Sequence, residues 1–229
     1  SHELRTPLNA VLGFAQLLLR EKREPLTERQ KDRVRRILLG GEHLLRLVDD
    51  VLDLARIEAG SLPISIAPSS VVDILHDVRR TLEPLEAQYA VHIEIEPVPA
   101  DLPLVAADRT RLVQILTNFG SNGLKYNKPG GRVCIEVTHS EDVVRVTVRD
   151  TGIGIPLAKQ PLLFQPFQRA GQETGPIEGT GIGLAITRRL ATMMNGSVGF
   201  ESVEGEGSRF WVELPRENGL GTGTGVLET

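Results

Sequence analysis

This chain of 229 residues has a single cysteine, Cys134, so no internal disulfide can form. That usage suits a reducing compartment, and the apolar alternation around Cys134 is expected to bury it in a strand. Aromatic residues are scarce at 4%. There is no basic excess, since the formal net charge is -4, and nucleic acid is not an expected partner. No apolar run approaches the ~20 residues needed to cross a bilayer, and the amino terminus has no charged-then-apolar leader pattern. The sequence opens inside a motif, so residues upstream are expected and any membrane contact would come through them. The portion in hand is expected to be soluble and cytoplasmic.

What is present begins with helical periodicity. Over 3–19, Leu4, Leu8, Val11, Ala15 and Leu18 recur at steps of four and three, one stripe of an amphipathic helix. A polar stretch with Pro25 interrupts it, and Thr27 followed by Glu28 starts a second helix running to about Ala59. There Ile37, Gly41, Leu44, Val48, Val51 and Ala55 keep the same step, while Leu38, Leu45 and Leu52 widen the stripe beyond what one hairpin partner covers. The excess predicts a dimeric four-helix bundle.

Past Gly60 the period changes. The spacing predicts a strand over 62–66, a helix capped by Ser69 or Ser70 and ending near Ala87, and a strand over 91–95. Asp108 caps a further helix, and Pro129-Gly130-Gly131 turns the chain into a hairpin of 133–137 and 143–148. A glycine-rich region, a helix over 184–194 and strands near 198–201 and 208–214 complete the order. The expected fold class is α+β: residues 1–60 form the helical hairpin, 61–216 an α/β sandwich, and 217–229 a disordered tail. Residues 59–61 are the expected hinge.

Four constellations can carry chemistry. His2, Glu3 and Thr6 stand on the polar flank of the first helix; imidazole is nucleophilic near neutral pH, Glu3 can take its proton, and Thr6 could place a water. Pro7 is expected to bend the helix there. Asn118, Asn122 and Lys125 or Tyr126 follow at helical steps, supplying a hard ligand for magnesium, a cation for phosphate and a ring for a purine. Asp150, at a strand end before Gly152 and Gly154, can accept a bond from an amino group such as that of adenine. Gly179, Thr180, Gly181, Gly183 and Leu184 precede a helix whose start can hold phosphate. This glycine run follows an antiparallel hairpin, against a Rossmann reading. Phe164 and Phe167 are expected to anchor a lid over 170–178.

In these motifs and their order the sequence resembles the sensor histidine kinases, whose ATP-binding module is similar to that of the gyrase, Hsp90 and MutL group (Bergerat or GHKL type). The likeness runs from Ser1 to about Pro215 and rests on the histidine, asparagine, first glycine, phenylalanine (Phe164-Gln165-Pro166-Phe167) and second glycine boxes. It implies ATP and Mg2+ as cofactors, a homodimer, and a response-regulator receiver domain as partner. It implies that His2 is the phospho-acceptor, Glu3 its general base and Thr6 a helper of phosphatase activity. Asn122 would hold the metal. Asn118, Lys125 and Tyr126 would touch nucleotide, Asp150 would read adenine, the glycines and Thr180 would shape the pocket, and Arg169 would reach the γ-phosphate. Gly120 and Gly123 depart from the leucine and alanine common in the family.

Overall fold

The computed structural model describes residues 2–168 and 180–217. Its first element is α1 (His2–Arg20), which contains Pro7, followed by α2 (Glu28–Glu58). The start of α2 is fixed by a capping box. The Thr27 hydroxyl accepts from the Gln30 amide, and the Gln30 side chain accepts from the Thr27 amide at 2.9 Å. Its end is a Schellman turn: Ser61 N donates to Arg56 O, Gly60 N donates to Ile57 O, and Gly60 takes φ +63. The helices pair through buried Leu12, Ala15 and Val34. Val11, Phe14, Leu17 and Leu18 of α1 and Ile37, Leu39, Leu44 and Val51 of α2 stay exposed.

The remaining order is β1 (Ala67–Ser69), α3 (Val71–Tyr89), β2 (His92–Ile95), β3 (Val105–Ala107), α4 (Arg109–Lys125), β4 (Arg132–His139), β5 (Val143–Asp150), a 3-10 helix (Leu157–Leu162), α5 (Gly183–Met193), β6 (Ser197–Val203) and β7 (Gly207–Pro215). Ser70 and Asp108 cap α3 and α4 by accepting the amides of Asp73 and Arg111. Five strands form one sheet in the order β2-β4-β5-β7-β6, parallel only between β2 and β4; β1 and β3 pair separately, antiparallel. Alternate residues Val133, Ile135 and Val137, Val144, Val146 and Val148, and Phe210, Val212 and Leu214 enter the core. They meet Ile74, Val78 and Leu82 of α3, Leu112, Ile115, Leu116 and Phe119 of α4, and Ile186 and Leu190 of α5. Phe119 and Phe210 stack with centroids 5.5 Å apart. Each such aliphatic or aromatic side chain contributes about 1.5–3 kcal/mol by burial.

Several expectations are corrected. The strand expected over 62–66 lies at β1 instead. Leu62 is buried by the core, and the Ser65 amide donates to Asp108 Oδ2 at 2.9 Å, so these residues serve packing and a cap rather than a ladder. Cys134 is half-buried on the sheet face away from the helices, where its thiol meets Glu96 Oε1 at 3.4 Å. Burial, with that acceptor and the nearby Glu136 and Glu94, pushes the thiol up to about 11. Leu54 and Ile57 of α2 join the core of the sandwich, so hairpin and sandwich are packed together across the expected hinge. Glu217, at the start of the expected tail, donates its amide to Leu104 O; residues 218–229 lie outside the described residues. No described helix is long and apolar enough to cross a membrane.

Candidate active site

Asp108 fixes the start of α4, and the buried stripe Leu112, Ile115, Leu116 and Phe119 fixes its rotation against the sheet. Asn118, Asn122 and Lys125 consequently fall on one half-buried face, with Tyr126 closing the helix. Asn118 Nδ2 donates to Thr187 Oγ1 of α5 at 2.9 Å. Among the described residues the Asn122 carboxamide makes no hydrogen bond. The Lys125 ammonium sits 5.7 Å from the centroid of the Tyr126 ring, so the expected phosphate cation and purine platform are neighbours.

Gly120 and Gly123 let α4 approach closely. A β-carbon on Gly120 would collide with Leu82 Cδ1, and one on Gly123 would stand 3.1 Å from Val133 Cγ2 and 3.4 Å from Asp150 Cβ. The space beside position 120 is filled by Leu82, which is fully buried.

Asp150 ends β5 with 8% exposure. Its Oδ1 accepts two backbone amides, Gly152 N at 2.8 Å and Ser208 N at 3.2 Å. Burial raises this carboxyl to about 6, against the lowering effect of the two amides. Those amides hold the side chain in one orientation, and Oδ2 takes no hydrogen bond among the described residues. The first glycine box is stitched to the end of α4, since Ile153 N donates to Tyr126 O at 3.0 Å and a β-carbon on Gly152 would strike that same carbonyl. Gly154 follows at φ +64 against the backbone of Val203. The sequence analysis assigns Ser208 no role; it closes the run Gly205-Glu206-Gly207-Ser208 at the turn from β6 into β7, whose glycines are the one local signal there.

The second glycine box enters α5. Gly181 (φ +70) lies against the backbone of Phe167 and Gln168, and Gly183 stands so close to Asn118 that a β-carbon would be 2.6 Å from its Oδ1. Leu184 packs on the core. Thr180 Oγ1 donates to Asp50 Oδ2 of α2 at 2.7 Å and accepts from Ile182 N at 3.3 Å. Arg169, Gly179 and the expected lid lie outside the described residues. Of the two phenylalanines expected to anchor that lid, Phe164 packs on Phe200 with centroids 5.8 Å apart. Phe167 is 62% exposed, with φ +65.

His2, Glu3 and Thr6 occupy the first turns of α1, with Glu3 and Thr6 exposed. Between them Arg5 Nε donates to Asp49 Oδ1 of α2 at 2.7 Å. Asp49 adjoins Asp50, so the first turns of α1 and the second glycine box meet consecutive residues of α2. Backbone glycines, an anion-ready helix start, a fixed carboxylate and a polar helix face can together hold a purine nucleotide.

Residues 107–218 match the family described as histidine kinase-, DNA gyrase B- and HSP90-like ATPase, and residues 1–60 match the His Kinase A (phospho-acceptor) domain. The chain is 39% identical over 219 residues to the circadian input-output histidine kinase CikA of Synechococcus elongatus, covering 95% of this chain and 29% of that protein. It is 39% identical over 221 residues to the sensor histidine kinase GacS of Pseudomonas protegens, covering 93% and 24%. Among solved structures it is similar to full-length ShkA in complex with AMPPNP, with 37% identity, a TM-score of 0.76, and coverage of 94% of this chain and 44% of that one. The chain therefore spans under a third of the length of these curated relatives.

Proposed function

Because the chain belongs to the sensor histidine kinases, we propose that it autophosphorylates: it binds ATP, transfers the γ-phosphoryl group to His2, and passes it to an aspartate of a response-regulator receiver domain. The observation that carries the nucleotide half of this reading is Asp150, a buried carboxylate whose Oδ1 is pinned by two amides while Oδ2 is left for a donor such as the adenine amino group. The match of residues 1–60 to a phospho-acceptor domain supports histidine, rather than water, as the acceptor.

In this reading Asn118, Lys125 and Tyr126 contact the nucleotide from α4. Gly152 and Gly154 admit the base beside Asp150. Gly179, Thr180, Gly181, Gly183 and Leu184 shape the phosphate end, and Arg169 reaches the γ-phosphate. A bound magnesium ion would neutralise phosphate charge. Asn122 is the residue to hold it, being a hard neutral oxygen ligand with its carboxamide uncommitted among the described residues. An imidazole nitrogen of His2 bonds to the γ-phosphorus, the bond from that phosphorus to the β–γ bridging oxygen breaks, and ADP leaves. Glu3 accepts the imidazole proton. Thr6, one turn on, places water against the phosphorylated regulator, so that the phosphoryl group leaves the aspartate as inorganic phosphate in an opposing phosphatase activity.

The partner of the hairpin is a second copy. Phe14, Leu17, Ile37 and Leu44, among others, are too exposed for a lone two-helix unit and suit a four-helix bundle.

The test is incubation with γ-labelled ATP and magnesium, comparing the chain with His2→Gln and Asn122→Ala. Acid-labile, alkali-stable label that is lost in both variants is the expected result. Phosphate release that survives His2→Gln would replace the kinase with an ATPase. Nucleotide binding without label or release would replace it with a nucleotide-holding scaffold.

A further inference from the structure

One face of α2 carries Asp50, Asp53, Leu54 and Ile57, the spacing of a single helical stripe, and it is turned toward the sandwich. Leu54 and Ile57 are buried in the shared core, Asp53 Oδ2 lies 3.8 Å from Arg111 Nη1 of α4, and α2 packs against α5. The polar contact nearest the site is Asp50 Oδ2 with Thr180 Oγ1 at 2.7 Å. The Thr180 proton is committed to the hairpin, and its oxygen accepts the Ile182 amide at the entry to α5.

The 11-residue helix α5 begins at Gly183 without a side-chain cap from its own Ile182. Such a start, fed by a glycine run, favours an anion through its free amides and the positive end of its dipole. In this conformation the hairpin already supplies a half-buried carboxylate there, held on Thr180, three residues before Gly183. Its own charge is opposed by burial and by Asp53 and Asp49, and favoured by the Thr180 hydroxyl and Arg46.

We propose that Asp50 competes with the nucleotide's phosphates for the second glycine box, so that docking of α2 on the sandwich and binding of a nucleoside triphosphate oppose each other. This rests on the nucleotide reading above and adds regulation to it. A carboxylate held on Thr180 repels phosphate charge entering the same loop and occupies the hydroxyl that would meet it. By reciprocity, whatever Asp50 takes from triphosphate affinity, bound triphosphate takes from the dock. Nucleotide entry thereby loosens the sandwich from α2, and the empty site keeps it in place. Asp50 acts through Thr180 and does not touch the reacting atoms.

The experiment measures AMPPNP and adenosine affinities by calorimetry for the wild-type chain, Asp50→Asn and Asp50→Ala, with thermal unfolding followed by circular dichroism to establish that each is folded. Asp50→Asn keeps a hydrogen-bond acceptor and removes the charge; Asp50→Ala removes both. AMPPNP is expected to bind about fivefold or more tightly in both variants, while adenosine, which has no phosphate, binds equally to all three. Unchanged AMPPNP affinity in the variants, with a wild type that binds it, overturns the competition and leaves the nucleotide site standing. An equal gain for adenosine and AMPPNP also overturns it, because general loosening would then be the cause. A wild type that binds neither compound overturns the nucleotide reading and the competition together.

Discussion

A methyl group of Leu82, on α3, fills the space that a β-carbon on Gly120 of α4 would need. Both residues are buried, so neither can yield into solvent. Gly120→Leu is therefore expected to destabilise the chain by about 1–3 kcal/mol through overpacking, despite the better helix propensity of leucine. Combining it with Leu82→Ala should recover most of that loss. Urea unfolding of the two single variants and the double variant measures the coupling.

Asp150 gives a pH prediction with a definite sign. Its carboxyl titrates at about 6 when folded, against 3.8 as the ordinary value. The stability tied to its neutral form is fully present below that ordinary value and is lost as pH rises through about 6. Nucleotide binding runs the other way, since the ionised form is the stronger acceptor for an amino group. AMPPNP affinity should fall as pH drops through 6, by about tenfold for one unit below it. Titrating the affinity between pH 5 and 8 checks this, and Asp150→Asn should flatten the curve.

Gly183→Ala should act on the site more than on the fold. Alanine suits a helix start, but its β-carbon would press on Asn118 Oδ1 and displace the bond from Asn118 Nδ2 to Thr187. The expected cost in stability is about 1 kcal/mol, offset in part by propensity. AMPPNP affinity should drop more steeply than that figure implies, because Asn118 is one of the contacts assigned to nucleotide. Thermal unfolding and calorimetry on the same sample separate the two effects.

Much of the fold was legible because its signals are local. Thr27, Ser70 and Asp108 each announce a helix through a side-chain oxygen that needs only its own next turn. The alternation of 133–137 and 143–148 marked a hairpin that the structure extends to β4 and β5. Less legible were elements defined by distant partners. The three-residue β3 exists because β1 lies beside it, and 62–66 mimics a strand because Leu62 is drawn into a core built largely by later residues. The 3-10 helix Leu157–Leu162 contains Pro161, whose missing amide hid it. In the site, the residue types of the boxes could be read, but Ser208 N on Asp150 and Thr180 on Asp50 join residues far apart in sequence, which no spacing rule connects.

The hairpin should dimerise through its exposed stripe. Phe14, 69% exposed on α1, is a candidate for the centre of that contact. Phe14→Glu is expected to shift the chain toward monomer in sedimentation equilibrium. AMPPNP affinity should change little, because Phe14 belongs neither to the nucleotide site nor to the Asp50–Thr180 contact.

The sheet registers β5 directly against β7, yet all the chain from Thr151 to Glu206 runs out and back between these two adjacent strands. That excursion holds both glycine boxes, the phenylalanine box, α5 and β6. Closing such a long loop has an entropic cost that grows only logarithmically, about 0.6 kcal/mol for each doubling of its flexible length. Insertions and deletions on its way out from β5 are thus tolerated by a scaffold that closes behind them. Descendants of this architecture can retune how they grip and release their ligand by editing loop length, with the central strand pairing inherited intact.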